Sequence, residues 1–287
     1  YFKSLYFEDP DGQILEIATA AGLDAEAARI DVTIRDGGRT FMSVTDDGRG
    51  MTADELSLAI ERHATSKLPS DDLLTINSLG FRGEALPSIG AVARLAITSR
   101  ALGEEDAWII TVEGGTVGAP EPAAHAQGTR IEVRDLFFAT PARLKFLKTE
   151  KTEQTHAVDT IKRLAMAHPG IGFTLGDGNR DLLKLPAATG PDARLDRLSG
   201  VMGKDFRDNS LAIDAQREDM RLTGFAGLPT LNRGNSMMQF LFVNGRPVRN
   251  KLLYGALKGA YREFLASDRY PLVALFLDLA PDAVDVN

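Results

Sequence analysis

The region from residue 29 to residue 64 shows two hydrophobic periods in succession. In "RIDVTIR", isoleucine and valine alternate with polar residues, which predicts a strand with one buried face. The glycines of "DGG" predict a turn, and the apolar run "FMSVTD" predicts a second strand that ends at Asp46. "TADELSLAIERHA" then changes to the helical period, with Thr52 as N-cap and Glu55 as its capping-box partner. The pattern predicts a strand, a turn, a strand and a capped helix.

Further strands and helices are predicted between residues 83 and 168. Apolar runs bounded by Gly, Pro and acidic residues predict strands in "RLAITSR", "AWIITVEG" and "TRIEVRDL". A helix is predicted from near Gly83, and others in "PARLKFL" and "TEQTHAVDTIKRLAMAH", the last with Ile161 and Leu164 on its apolar face. This order of elements predicts a mixed sheet with helices on one face.

The hydrophobic period weakens between Gly190 and Gly203, where a second domain is predicted to begin. Beyond it, "MQFLFVNGR" predicts a strand, "KLLYGALKGAYREFLA" a helix and "PLVALFLDLA" another strand, which together form a βαβ unit. We therefore expect a first domain over residues 1–195 and a second over residues 196–287.

Composition narrows the class of protein. The chain has 287 residues, of which 44% are hydrophobic, which is enough for two buried cores. No window approaches the roughly 18 consecutive apolar residues of a membrane span, and the first residues lack the order of a signal peptide. The absence of cysteine from the sequence excludes disulfides and cysteine nucleophiles. These features predict a cytoplasmic protein without membrane contact.

Charge is distributed unevenly along the chain. The formal net charge of −7 argues against a uniformly basic nucleic-acid-binding chain. No acidic residue occurs from position 221 to position 262, however. That interval contains the basic residues Arg221, Arg233, Arg246, Arg249, Lys251, Lys258 and Arg262. It predicts either a positive face for phosphate or an ordinary solvated surface that acidic residues balance elsewhere in the fold.

Two loops carry groups suited to phosphate. In "LGFRGEALPSIGAV", Gly80 and Gly83 precede an apolar run that predicts a helix. The unpaired N–H groups and the positive dipole end of a helix N-terminus favour an anion, although a simple capping turn also uses such glycines. "RHATSK" adds the hydroxyl of Thr65 and the ammonium of Lys67, which suit either phosphate oxygens or plain hydration.

A candidate adenine pocket lies at the end of the second predicted strand. In "VTDDGRGM", the carboxylate of Asp46 can accept a hydrogen bond from an exocyclic amine, and Gly48 and Gly50 allow a planar ring to approach the backbone. The alternative is an Asp-Gly turn between a strand and a helix. Thr129, at the start of "TRIEVRDL", has a hydroxyl that can share a water molecule with Asp46.

Several motifs together resemble one family. "DDGRGM", "RHATSK", "LGFRGEAL", "FFATPARLKFL", "FVNGRPVRNK" and "VDVN" occur in the same order in the MutL family of DNA mismatch-repair proteins. That family belongs to the GHKL ATPase superfamily, with gyrase, the heat-shock chaperone and histidine kinases. The resemblance extends from about Leu23 to the end of the chain, and the pair "RHATSK" and "GFRGEAL" separates MutL proteins from other GHKL members.

The resemblance implies an α+β fold with two parts. The first is a GHKL (Bergerat) ATP-binding α/β sandwich. The second is a smaller βαβ-containing domain of the ribosomal S5 domain 2-like type, expected to contact DNA, to act as a transducer and to be truncated before its end. A family Lys that reaches the terminal phosphate is expected beyond Asn287.

The resemblance also implies a site for ATP and Mg²⁺. Asp46 and Thr129 are expected on the adenine side and the glycines of "DDGRGM" at the pocket floor, while the other residues belong to the lid and the phosphate-binding turn. The complete implied ATP-binding set is Asp46, Gly48, Gly50, Thr65, Lys67, Phe81, Arg82, Gly83, Glu84, Ala85, Leu86 and Thr129.

The chain departs from the family at the catalytic helix. Counting back from Asp24 in "LDAEAARIDV" places Ile17 at the position of the family's general-base Glu and Ala21 at that of its metal-binding Asn. Neither side chain offers an oxygen to water or to a metal. The segment "IATAAGLDA" is alternatively a junction from which the helix is missing, or an irregularity of the printed sequence. We therefore assign no catalytic residue and no metal ligand.

The function implied by the resemblance is a nucleotide-gated clamp. ATP binding and hydrolysis would drive homodimerisation, binding of the DNA backbone with weak sequence specificity, and engagement of mismatch-recognition and other repair proteins. The expected DNA contacts are Arg246, Arg249, Lys251, Lys258 and Arg262, the last three being predicted to share a helix face. Without the Glu, ATPase activity should be slow or absent.

Two alternatives remain at this point. One is a DNA-binding or interaction module on the same fold that does not hydrolyse ATP, and the basic interval favours it. The other is a different GHKL ATPase, such as a topoisomerase subunit or a kinase.

Overall fold

The chain folds as two compact units. In this computed structural model, residues 26–61 and 85–280 are described. One unit comprises the described residues up to 161 together with Ile171–Ala187, and the other comprises Lys162–Gly170 and the described residues from 188 onward. The last described segment of the first unit, Ile171–Ala187, therefore comes after residues of the second unit in the chain.

The first unit is built on a mixed sheet. Its strands are β1 (Arg29–Arg35), β2 (Phe41–Asp46), β3 (Arg94–Arg100), β4 (Ala107–Glu113), β5 (Thr116–Val117), β6 (Glu121–Ala123), β7 (Gly128–Arg134), β8 (Gly172–Gly176) and β9 (Asp181–Leu185). Within the described residues the order is β5-β4-β3-β7-β2-β1-β8-β9, with β6 also paired to β4. The β1–β8 pair is parallel and the other pairs are antiparallel. The predicted mixed sheet is confirmed.

Helices α1 (Ala53–Ala59) and α2 (Ala85–Val92) belong to this unit, and α3 (Glu150–Ala167) begins in it and ends with residues of the second unit. At α1 the predicted capping box forms: the Glu55 N–H donates to Thr52 Oγ1 (3.3 Å) and the Thr52 N–H donates to Glu55 Oε2 (2.9 Å). Gly90 lets α2 lie against β4, since an added Cβ would meet the Val112 side chain at 2.7 Å. Helices α1 and α2 both contact β4.

The segment "PARLKFL" is helical, as predicted, but its helix is not an α-helix. Pro141–Phe146 forms a 3-10 helix in which no residue is buried. The segment has no buried apolar face, and it therefore lacks the packing that stabilises a longer α-helix. The helix predicted after it is confirmed as α3, with Ile161 and Leu164 buried.

The second unit has its own sheet and helices. Its elements are α4 (Ala193–Met202), α5 (Lys204–Asp208), β10 (Ser210–Arg217), β11 (Met220–Gly227), β12 (Asn232–Arg233), β13 (Gln239–Val243), β14 (Arg246–Val248), α6 (Lys251–Ala260), β15 (Tyr270–Pro271) and β16 (Val273–Asp278). The main sheet has the order β10-β11-β16-β13-β14. Strands β13 and β16 are parallel, with α6 between them in the chain, so the predicted βαβ unit is confirmed.

Aromatic residues fill the core of the second unit. Phe206, Phe240 and Phe242 are buried, and the ring of Phe242 stacks on that of Phe276 with centroids 4.5 Å apart. Among the described residues of both units, no helix has the length and apolar character to cross a membrane.

Candidate functional site

Asp46 is a buried carboxylate at the end of an interior strand. It is the last residue of β2, faces Thr129 of β7 in the register, and is 3% exposed. Its Oδ1 accepts a hydrogen bond from the Gly48 N–H (2.9 Å). Its Oδ2 is also buried and has no hydrogen-bond partner within the part of the chain that the structure describes. A buried acceptor in this state is suited to a donor from a ligand or from water.

Burial changes the ionisation of this carboxyl. Burial raises the pKa of Asp46 to about 7, the Gly48 and Thr129 N–H groups offset part of that rise, and the Asp47 carboxylate adds to it. A ligand that donates a hydrogen bond to the free oxygen favours the charged form and brings the pKa down.

The neighbouring acid, Asp47, has a different role. It is exposed, and its Oδ1 accepts hydrogen bonds from the backbone N–H groups of Ala28 and Arg29, each at 2.8 Å. Asp47 therefore fixes the start of β1. Of this adjacent pair, Asp46 is the buried member, and its Oδ2 has no hydrogen-bond partner among the residues that the structure describes.

The glycines around Asp46 allow backbones to lie close together. Gly50 has φ +67°, and an added Cβ would lie 1.9 Å from the Arg100 carbonyl oxygen. Gly128 has φ +112°, and its Cβ would lie 2.1 Å from the Asp46 carbonyl oxygen. Gly48 is buried, and its carbonyl accepts from Gln127 Nε2 (3.2 Å). At Gly50 the group that comes close is therefore the backbone of Arg100, at the end of β3.

Ser99 is a site residue that the sequence interpretation missed. It is fully buried on β3, and its Oγ lies 2.9 Å from Thr129 Oγ1. The Met51 N–H donates to this Oγ at 2.8 Å, and the Gly128 carbonyl accepts from it at 3.0 Å. Its partners lie 29 to 48 positions away in the sequence, so no local motif indicates this role.

The implied phosphate side is only partly described. Ala85 and Leu86 form the first turn of α2, where Leu86 is buried. The other members of the implied lid and turn lie outside the described residues, as do the positions aligned with the family's Glu and Asn. These are Thr65, Lys67, Phe81, Arg82, Gly83 and Glu84, and Ile17 and Ala21. No group of three or more His, Cys, Asp or Glu side chains suited to a metal occurs among the described residues.

The charged residues of the basic interval lie in different surroundings. Arg221 forms a two-point ion pair with Asp214 across the β10–β11 hairpin, at 3.1 and 3.0 Å. Arg246 lies on β14, and Arg249, Lys251, Lys258 and Arg262 are exposed.

The prediction that Arg262 lies on the helix of Lys251 and Lys258 is wrong. Helix α6 ends at Ala260, and Tyr261 is its C-cap. The Tyr261 hydroxyl donates to the Gly227 carbonyl at 2.7 Å, which ties this residue to β11 where the helix ends. Lys251 and Lys258, seven residues apart, remain on one face of α6.

Comparisons with known proteins agree with this geometry. Residues 14–119 match the family model "Histidine kinase-, DNA gyrase B-, and HSP90-like ATPase", and residues 198–287 match "DNA mismatch repair protein, C-terminal domain". The mixed sheet with the buried Asp46 at a strand end therefore defines the GHKL class of ATPase domain. Relatives narrow this class further.

A DNA mismatch repair protein MutL of Rhodospirillum rubrum is 62% identical over 282 residues, covering 98% of this chain and 45% of the relative. The Aquifex aeolicus MutL ATPase domain complexed with ADP has a TM-score of 0.70 and 28% identity, covering 96% of this chain and 93% of that one. The crystal structure of the N-terminal domain of a DNA repair protein has a TM-score of 0.81 at 23% identity, covering 98% and 86%, and supports the fold alone.

The chain belongs to the MutL family of DNA mismatch repair proteins. It spans about half the length of the curated relatives it matches. The predicted family and the α+β GHKL fold class are both confirmed.

Proposed function

We propose that this chain binds ATP as the ATP-binding region of a MutL-type mismatch repair protein, with the adenine amino group donating to Asp46. The observation that carries the proposal is Asp46 Oδ2, a buried oxygen without a partner among the described residues at the end of a central strand. An exocyclic amine supplies the donor that this oxygen lacks. The family match of this chain and the ADP complex of the Aquifex aeolicus domain support the binding of an adenine nucleotide.

The phosphate side of the proposal rests on the family motifs. Thr65 and Lys67 and the turn from Phe81 to Leu86 would hold the triphosphate ahead of α2, whose dipole favours an anion. Mg²⁺ would enter with the nucleotide and neutralise phosphate charge. We assign it no protein ligand, because the family's Asn position aligns with Ala21.

Turnover is expected to be slow in this chain. The position of the family's general base aligns with Ile17, which cannot activate water. ATP would then stay bound for a long time, because its hydrolysis is slow. In the whole protein, we propose that binding drives homodimerisation of the clamp on DNA and engagement of mismatch-recognition and other repair proteins, in the cytoplasm.

A DNA-contact role is proposed for the second unit. The exposed charges of Arg249, Lys251, Lys258 and Arg262, with Arg246 on the neighbouring strand, favour contacts to the DNA backbone with weak sequence specificity. Arg221, which forms an ion pair with Asp214, is not a member of this set. The same residues favour a second candidate function, a DNA-binding module that binds but does not hydrolyse ATP.

Calorimetry with a non-hydrolysable ATP analogue and Mg²⁺ tests the first proposal. Asp46→Asn should raise Kd about tenfold or more, because it removes the charged acceptor of the amino group. Asp54→Asn, an isosteric change of an exposed acid on α1, is the matched control and should leave Kd unchanged. Equal affinity in wild type and Asp46→Asn would contradict the proposed adenine site.

A phosphate-release assay on the same preparations separates the two candidate functions. Binding with negligible release would favour the non-hydrolysing module. Release at a rate that saturates with ATP would show that water is activated by a residue other than Ile17.

A further inference from the structure

Ser99 joins three separate segments of the first unit. Its Oγ accepts from the Met51 N–H, which follows the glycines of "DDGRGM", and also contacts the Gly128 carbonyl and the Thr129 hydroxyl at the start of β7. The residue is fully buried, and Thr129 is 2% exposed. These contacts use the full hydrogen-bonding capacity of one hydroxyl.

The single proton of Ser99 determines the direction of the bonds. A serine hydroxyl donates once and accepts twice. The Gly128 carbonyl, 3.0 Å away, can only accept, and the Met51 N–H, 2.8 Å away, can only donate. The arrangement that satisfies every contact has Ser99 donating to Gly128, so the Thr129 hydroxyl must donate to Ser99 across 2.9 Å.

Thr129 is thereby left with lone pairs and no proton to offer. It lies directly opposite Asp46 in the antiparallel β2–β7 pair, so the two side chains share one face of the sheet. Asp46 Oδ2 is likewise an acceptor without a partner among the residues described. The two residues together present acceptors on the same side of the strand ends.

We propose that Ser99 is a positioning residue that holds the Thr129 hydroxyl as an acceptor, so that the site selects a purine with an amino group over one with a carbonyl at C6. This inference rests on the proposed function of Asp46 as the adenine contact. A water molecule that bridges the two oxygens gives the same preference, since it donates both protons to them and offers a lone pair to the base.

The consequence of removing Ser99 follows from this polarity. In Ser99→Ala the Thr129 proton loses its acceptor and can rotate to donate to a C6 carbonyl. The inosine nucleotide should then bind better relative to the adenine nucleotide. If Ser99 had only a structural role, its removal would weaken the binding of both nucleotides equally and leave the ratio of their Kd values unchanged.

The test measures Kd for non-hydrolysable analogues of ATP and ITP with Mg²⁺ on the whole 287-residue chain. Ser99→Ala should reduce the ratio of the ITP to the ATP Kd about tenfold, the size of one hydrogen bond gained or lost. Thr98→Val, a buried neighbour whose side chain leaves the opposite face of β3, is the matched control and should keep the wild-type ratio.

A double-mutant cycle guards against a folding defect in one variant. Thr129→Val removes the rotating hydroxyl itself, so Ser99→Ala added to Thr129→Val should change the ratio no further. The inference would be overturned if Ser99→Ala left the ratio of the ITP to the ATP Kd unchanged. It would also be overturned if Ser99→Ala changed that ratio as much in Thr129→Val as in the wild-type chain. In both cases the Asp46 site would stand. Failure of the wild-type chain to bind either analogue would overturn the proposed function and the inference together.

Discussion

Asp46 in the first unit and Arg221 in the second are charged residues on strands, and they differ in pairing and burial. Asp46 is 3% exposed and keeps one oxygen without a partner among the described residues. Arg221 is exposed and makes a two-point ion pair with Asp214. An exposed and paired charge needs no ligand, whereas a buried, unsatisfied one does. Burial and pairing, rather than charge along the chain, therefore identify the candidate site.

The largest expected effect is at Gly50, which lies beside Asp46. Gly50→Ala would place a Cβ 1.9 Å from the Arg100 carbonyl at φ +67°. The backbone of one segment must move, so we expect a loss of at least about 4 kcal/mol in the free energy of unfolding, measured by urea denaturation.

Gly103 provides the matched control, because it also has a positive φ, +84°, but an added Cβ meets nothing within 4 Å. Gly103→Ala should lower the free energy of unfolding by about 1 kcal/mol, which is the cost of a positive φ for a residue with a Cβ. Equal costs at the two glycines would mean that the close approach at Gly50 is not a constraint.

A smaller effect, of opposite sign, is expected at Asp46 itself. Because burial raises its pKa from 3.8 to about 7, the folded state holds the proton more tightly than the unfolded state. Its contribution to stability is present below pH 3.8 and is lost as the pH rises to about 7. Asp46→Asn should therefore raise the free energy of unfolding at pH 8, without nucleotide, by about 2 to 4 kcal/mol.

Urea denaturation at pH 4 and at pH 8 checks this sign. The gain in Asp46→Asn should be much smaller at pH 4, where wild-type Asp46 is protonated in the folded state. A variant less stable than wild type at pH 8 would contradict the raised pKa, and with it the idea that this carboxylate is retained for binding at the expense of stability.

The smallest effect concerns the basic residues of the second unit. Lys258→Gln should weaken DNA binding several-fold and reduce the slope of log K against log salt by about 1, as expected when one phosphate contact is lost. Fluorescence anisotropy with a labelled duplex across a salt series measures both quantities.

Arg221→Gln is the control for this series, since the Arg221 charge is already paired with Asp214. Its salt slope should equal that of wild type. If the salt slope of Lys258→Gln also equalled that of wild type, the exposed basic residues would be ordinary solvated surface. The proposed DNA-contact face would then lose its support.

Local patterns were sufficient for much of the first unit. Strand β1 has one fully buried face, so its alternation is visible, and the capping box of α1 uses residues three apart. The second unit was harder: β10 has no buried residue, so the apolar residues along it do not mark a buried face. Helix α6 ends before Arg262, and the Tyr261 hydroxyl at its C-cap binds the Gly227 carbonyl, a contact made across 34 positions.

The site could be predicted only in part for the same reason. Asp46 lies in a recognisable strand and turn, so its position was predicted from the sequence. Ser99 acts through Met51, Gly128 and Thr129, which only the pairing of β3 with β7 and the adjacent loop bring together. Such a role depends on register and on the direction of hydroxyl protons, which no periodicity encodes.

The most direct test of the account is the pKa of Asp46, measured by NMR titration of ¹³C-labelled aspartate carboxyl groups, with Asp46→Asn to assign the signal. The account predicts a pKa of about 7 in the free chain. It also predicts a marked fall when the non-hydrolysable ATP analogue binds, because the amino group donates to the charged carboxylate. A pKa that nucleotide leaves unchanged, or one near 4 in the free chain, would contradict it.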